Sequence, residues 1–104
     1  MLESTVWRQY NGDNSFREKL AEFCVMNINE FIENDKTLYG VMKSKLTKKE
    51  LKLFAMDSAN VDEGEIMEVL SLDKEGLDIA KFKLYKKFKQ DKTRLSFRAS
   101  NQEN

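Results

Sequence analysis

The residue types that carry most enzyme chemistry are scarce in this 104-residue chain. It holds no histidine and a single cysteine, Cys24. Without histidine there is no ordinary general base near neutral pH, no imidazole metal ligand and no histidine-dependent nucleophilic triad. One cysteine cannot close an internal disulfide, and Cys24 falls at the spacing of an apolar helix face, so it is expected to pack in a core. Carboxylates are plentiful, but none stands in an EF-hand spacing, and no glycine-rich phosphate loop or GxSxG elbow is present. The sequence therefore reads as non-enzymatic, with no cofactor and no metal.

What remains able to act is charge. Lysine plus arginine equals aspartate plus glutamate at 18 each, yet the two signs are unevenly placed. Residues 1–72 carry nine basic and thirteen acidic side chains, net −4, whereas residues 73–98 carry nine basic and four acidic, net +5. A basic last third on a neutral chain suits an anionic partner, and equally describes a solvated helix face. Aromatic residues are the second resource. Any of Trp7, Tyr10, Tyr39, Phe82 and Tyr85 that proves exposed is a candidate protein contact.

These groups must be positioned by helices. There is no proline, only four glycines, and apolar residues recur mainly at helical spacing, so the fold class is all-α: a small helical domain. Leu2, Val6, Trp7 and Tyr10 make the first 14 residues too apolar for a solvated tail, and a short helix or packed arm is expected there. Ser15 with Glu18 forms a capping-box pattern. Phe16, Leu20, Phe23, Cys24, Ile28, Phe31 and Ile32 then trace one apolar face to about Glu33. A second short helix is expected to hold Leu38, Tyr39, Val41 and Met42.

From Leu46 the same helix-start grammar appears three times. Thr47 caps with Glu50 three residues on, flanked by Leu46 and Leu51; Asp62 caps between Val61 and Ile66; Asp73 caps between Leu72 and Leu77. Helices are predicted over 48–58, 63–70 and 74–90, the last two joined by Ser71-Leu72-Asp73. A short helix, a sharp turn and a longer basic helix make a helix-turn-helix, with Phe54, Ala55, Ile66, Val69, Leu70, Leu77, Leu84 and Phe88 as its shared core. The chain divides on this basis into an N-terminal arm and helical segment over 1–45, a tri-helical unit over 46–98 and a polar tail over 99–104. The five methionines read as gap-filling core.

Residues 46–90 resemble the C-terminal helix-turn-helix (the region 4 type) of bacterial sigma factors. Leu46-Thr47, Glu50, Glu65-Ile66, Leu72 and the basic Lys86-Lys87-Phe88-Lys89 carry the likeness. The resemblance implies a small transcriptional regulator binding double-stranded DNA. The start of the last helix would face the major groove, with Lys74, Glu75, Asp78, Ile79 and Lys81 turned to bases. Lys83, Lys86, Lys87 and Lys89 would lie nearer phosphates, with Lys48 and Lys49 beside them. Residues 1–45 would then supply a homodimer contact. The chain departs from the pattern in having Gly76, Asp78 and Ile79 where sigma-like recognition helices carry arginines and polar readers, and in the acidic run Asp62, Glu63, Glu65 and Glu68. The alternative reading is a degenerate helix-turn-helix that binds a transcription-related protein or itself. No stretch is apolar and long enough to span a membrane, no secretory signal pattern opens the chain, and a cytoplasmic location is expected.

Overall fold

The computed structural model describes residues 5–12 and 16–99, and within them the chain is all-α. Val6–Tyr10 forms α1, Phe16–Cys24 α2, Asp35–Lys45 α3, Lys48–Ser58 α4, Glu63–Leu70 α5, Lys74–Lys89 α6 and Asp91–Arg94 α7. Short 3-10 turns over Ile28–Glu30 and Leu95–Phe97 complete the path. Among the described residues no helix is long and apolar enough to cross a membrane.

The three predicted starts are built as their residues suggest. Thr47 Oγ1 accepts from the Glu50 amide while Glu50 Oε1 accepts from the Thr47 amide, a reciprocal capping box. Asp62 accepts from the Gly64 amide and Asp73 from the Gly76 amide. Ser15, the cap of the expected box with Glu18, lies outside the described residues, as do Asp13 and Asn14.

Helix ends are where expectation and structure part. The helix predicted to run to about Glu33 stops at Cys24, because Val25 takes a left-handed conformation with φ of 55°. The Met26 amide then donates to the Ala21 carbonyl, closing the helix in the manner of a Schellman stop. Asn60 and Ser71 end α4 and α5 in the same way, with the next amide reaching back to Met56 and Met67. Beyond Val25, Asn27 and Glu30 form a second capping box on a 3-10 turn. Phe31 and Ile32 are buried as predicted, but in an extended segment rather than a helix. The Ile32 amide donates to the Phe97 carbonyl, and Arg17 braces the segment from α2 by donating to the Ile32 and Glu33 carbonyls and to Asp35.

One aromatic chain runs through the interior. Tyr39 packs on Phe16, Phe16 on Trp7, Trp7 on Phe54, Phe54 on Phe88, Phe88 on Phe97 and Phe97 on Phe31, with centroids 5.4 to 6.4 Å apart. Phe23 joins α2 to it through Phe54, Tyr85 and Phe88. The change in sequence character at residue 46 thus separates two stretches of chain but not two cores. Trp7 of α1 is buried against α4, its amide donating to Tyr39 Oη, and Asn11 Nδ2 donates to the Ala55 carbonyl. Trp7 of the expected arm joins Phe16, Leu20, Cys24, Leu38 and Met42, from the segment assigned to a possible dimer contact, in this shared interior.

Two smaller differences follow from packing. Val69, expected in the core, is 42% exposed, since Ile66 and Leu70 alone carry the buried face of α5. Phe97, hidden within a basic run, is fully buried. Met42 and Met56 are buried gap-fillers, and Met26 and Met67 pack partly against the core.

Candidate functional site

Helix α6 has three kinds of face, set by the 3.6-residue period. Leu77, Leu84 and Phe88 are fully buried and dock it on α2 and α4. Lys81, Tyr85 and Lys87 are half-buried on its flanks. Glu75, Asp78, Ile79, Phe82, Lys83, Lys86 and Lys89 are exposed on the outer side.

The flanks are consumed in holding the three-helix unit together. Lys81 Nζ lies 3.2 Å from Glu63 Oε2 and 3.7 Å from Asp57 Oδ1, which turns it back onto α5 and α4. Tyr85 Oη donates to Asp57, and burial together with that carboxylate raises the phenol well above its ordinary value. Lys87 Nζ sits 2.7 Å from Glu50 Oε1 at the start of α4. Burial raises the Glu50 carboxyl, but hydrogen bonds from Lys87 and the Thr47 amide outweigh it and hold the group below its ordinary range. At the start of α6, Lys74 bridges Glu63 at 3.0 Å and Asp78 at 3.2 Å. Hydrogen bonds from Lys74 and Lys81 hold the Glu63 carboxyl down, and its bond to Glu63 raises Lys74.

Of the nine residues expected to meet DNA, six therefore share the outer face: Glu75, Asp78, Ile79, Lys83, Lys86 and Lys89. Lys81 and Lys87 turn inward to carboxylates of the same chain, and Lys74 is tied at the rim. No ion pair among the described residues engages Glu75, Lys83, Lys86 or Lys89. The outer face is acidic toward its N-terminal end and basic toward its C-terminal end. Its centre is apolar, with Ile79 at 47% and Phe82 at 66% exposure.

Phe82 was grouped in the sequence with four other aromatics as a possible contact, and it is the member left outside. Trp7 and Tyr39 are buried, and Tyr10 and Tyr85 are partly buried. Two shallow depressions adjoin near Phe82, one lined by Phe82, Tyr85, Lys86 and Lys89, the other by Glu22, Phe23, Tyr85, Lys89 and Val25, which is 70% exposed. Val25 had no signal in the sequence, since it was expected inside a continuous helix. A separate apolar cleft between α4 and the α5–α6 turn has Leu53, Leu70, Leu72 and Ala80 as its walls, with Lys49 and Lys83 at its edge.

Elsewhere, Cys24 is fully buried, and loss of hydration pushes its thiol up to about 12 despite the nearby Arg94. It is an inert core residue. Among the described residues no three metal-ligating side chains converge. No protein-family model, curated protein or solved structure matches this chain, so the function of the outer face of α6 has to be argued from its own side chains.

Proposed function

We propose that the protein is a non-enzymatic interaction module on a helix-turn-helix scaffold, and that it docks a protein partner through the outer face of α6. The observation that carries this reading is Phe82. The chain has seven phenylalanines, and six of them pack ring against ring in or beside the core. Phe82 stands 66% exposed one turn from Ile79, itself 47% exposed. An exposed aromatic beside an aliphatic residue, rimmed by charge, is the anatomy of a protein contact. A DNA-reading helix presents polar and basic groups at that place.

Electrostatics support the same reading. DNA affinity is built from cations free to displace counterions. Lys74, Lys81 and Lys87 are already committed to carboxylates of this chain, while Glu75, and Asp78 in its pair with Lys74, stand where the major groove would lie. Double-stranded DNA, the competing partner, draws on Lys83, Lys86 and Lys89 at the other end of the helix, with Lys48 and Lys49 exposed at the start of α4. Fluorescence anisotropy with a mixed-sequence duplex at low salt separates the two. No binding is expected up to about 100 µM protein, the weak end of ordinary non-specific affinity. Binding that falls steeply with salt, and is abolished by Lys86→Glu with Lys89→Glu, would overturn the proposal and restore a DNA-contacting helix.

A further inference from the structure

Resting on that reading, we infer that the partner seated on α6 is the α6 of a second copy of this chain, packed antiparallel about a two-fold axis at Phe82. The stripe is self-complementary when turned end for end. With Phe82 opposite Phe82, Glu75 lies at the level of the partner's Lys89, Asp78 at the level of the partner's Lys86, and Ile79 at the level of the partner's Tyr85. Each acidic end meets a basic end, and the apolar residues meet at the middle. A parallel pairing would set Glu75 and Asp78 against their own copies and bring like charges together.

The charge polarity alone calls for no partner, because carboxylates favour helix N-termini and lysines favour C-termini. Ile79 and Phe82 are different: neither the helix dipole nor the fold gives an apolar pair a reason to sit in water at the midpoint of that gradient. An isologous contact also uses the adjoining depressions. The N-terminal end of the partner's α6 overlies the C-terminal end of this one, where Tyr85 and the exposed Val25 lie beside Lys89. Residues 1–45 play no part in this dimer beyond the α2 end at Val25.

One helix face makes a small interface, so a dissociation constant of about ten micromolar is expected. Sedimentation equilibrium of the full chain over a concentration series reads it. The mass should rise from the monomer's 12.2 kDa toward twice that. Phe82→Ser should weaken association by at least about tenfold. Glu75→Lys with Asp78→Lys, and separately Lys86→Glu with Lys89→Glu, should each weaken self-association similarly, while an equimolar mixture of the two variants associates. Far-UV circular dichroism confirms that each variant is folded, and all five positions are solvent-facing. A wild-type chain that stays monomeric up to about 1 mM overturns the second copy as partner. A mixture that associates no better than its components overturns the antiparallel pairing. If the wild type is monomeric and duplex DNA is also left unbound, the inference of self-pairing fails while the interaction module stands. Salt-sensitive DNA binding through Lys86 and Lys89 brings down both.

Discussion

Val25 offers the sharpest test of the local physics. It is a β-branched residue at φ 55°, in the left-handed region where Cβ crowds the following carbonyl. That conformation costs about 1–2 kcal/mol for an L-residue other than glycine or, in part, asparagine. The side chain is 70% exposed, so little burial is lost by replacing it in the monomer. Val25→Asn keeps an ordinary unfolded chain and relieves the strain, and should stabilise the monomer by about 1 kcal/mol. Val25→Gly removes the whole steric cost but returns about 0.5–1 kcal/mol as unfolded-state entropy, so its gain is smaller. Urea titration at dilute concentration should show a higher midpoint with an unchanged slope, and a gain of 1 kcal/mol corresponds to a melting temperature higher by about 4 °C. Asn60→Gly should change less, because asparagine already tolerates this region. A neutral or destabilising Val25→Asn would refute the left-handed stop, and with it the break that ends α2 at Cys24.

Three further outcomes follow from the packing and the charges. Trp7→Ala removes a buried indole packed on Phe16 and Phe54, and should cost about 3–5 kcal/mol in chemical denaturation; a cost under about 1 kcal/mol would show that α1 is not part of the core. The lowered Glu50 carboxyl contributes stability that is fully present above its ordinary value near 4.5 and is lost as pH falls through the lower folded value. Lys87→Met should therefore cost about 0.5–1 kcal/mol at neutral pH and flatten that acid loss, and an unaltered acid profile would argue against the Lys87–Glu50 pair. Cys24 should react with a thiol reagent at mild alkaline pH at least about a thousandfold slower in the folded chain than in denaturant; prompt labelling without denaturant would contradict its burial.

Much of this architecture is legible where short-range rules decide it. Thr47 with Glu50, Asp62 and Asp73 mark the starts of α4, α5 and α6 because an N-cap and its partner lie within one helical turn. The end of α2 was illegible for the converse reason. Valine carries no turn signal, and the left-handed stop at Val25 is imposed by the segment beyond it. There Phe31 and Ile32 keep a helical spacing while lying extended against Phe97. The expectation of a separate N-terminal segment rests on the helix-start grammar that begins at residue 46; the burial of Trp7 against α4 depends on contacts tens of residues apart, which periodicity does not encode.

At the candidate site, the residue types were readable and their partners were not. Lys81 and Lys86 look alike in a basic run, yet Lys81 follows Leu77 by four and is drawn to Glu63, whereas Lys86 follows Phe82 by four and faces solvent. That phase was present in the sequence, and it also sets Ile79, Phe82 and Lys86 on one stripe opposite Leu77, Leu84 and Phe88. What it lacked was the position of Glu63, Asp57 and Glu50, which only the packing of α4 and α5 against α6 supplies.

The most direct test of the outer face of α6 is a nuclear magnetic resonance titration of the isotope-labelled chain, followed amide by amide at low salt. On raising protein concentration alone, shifts are expected to concentrate at Ile79, Phe82 and Lys86, with none beyond dilution effects on adding mixed-sequence duplex. Shifts along residues 74–89 that appear on adding DNA, disappear with salt and ignore protein concentration would contradict the protein-docking role of this helix.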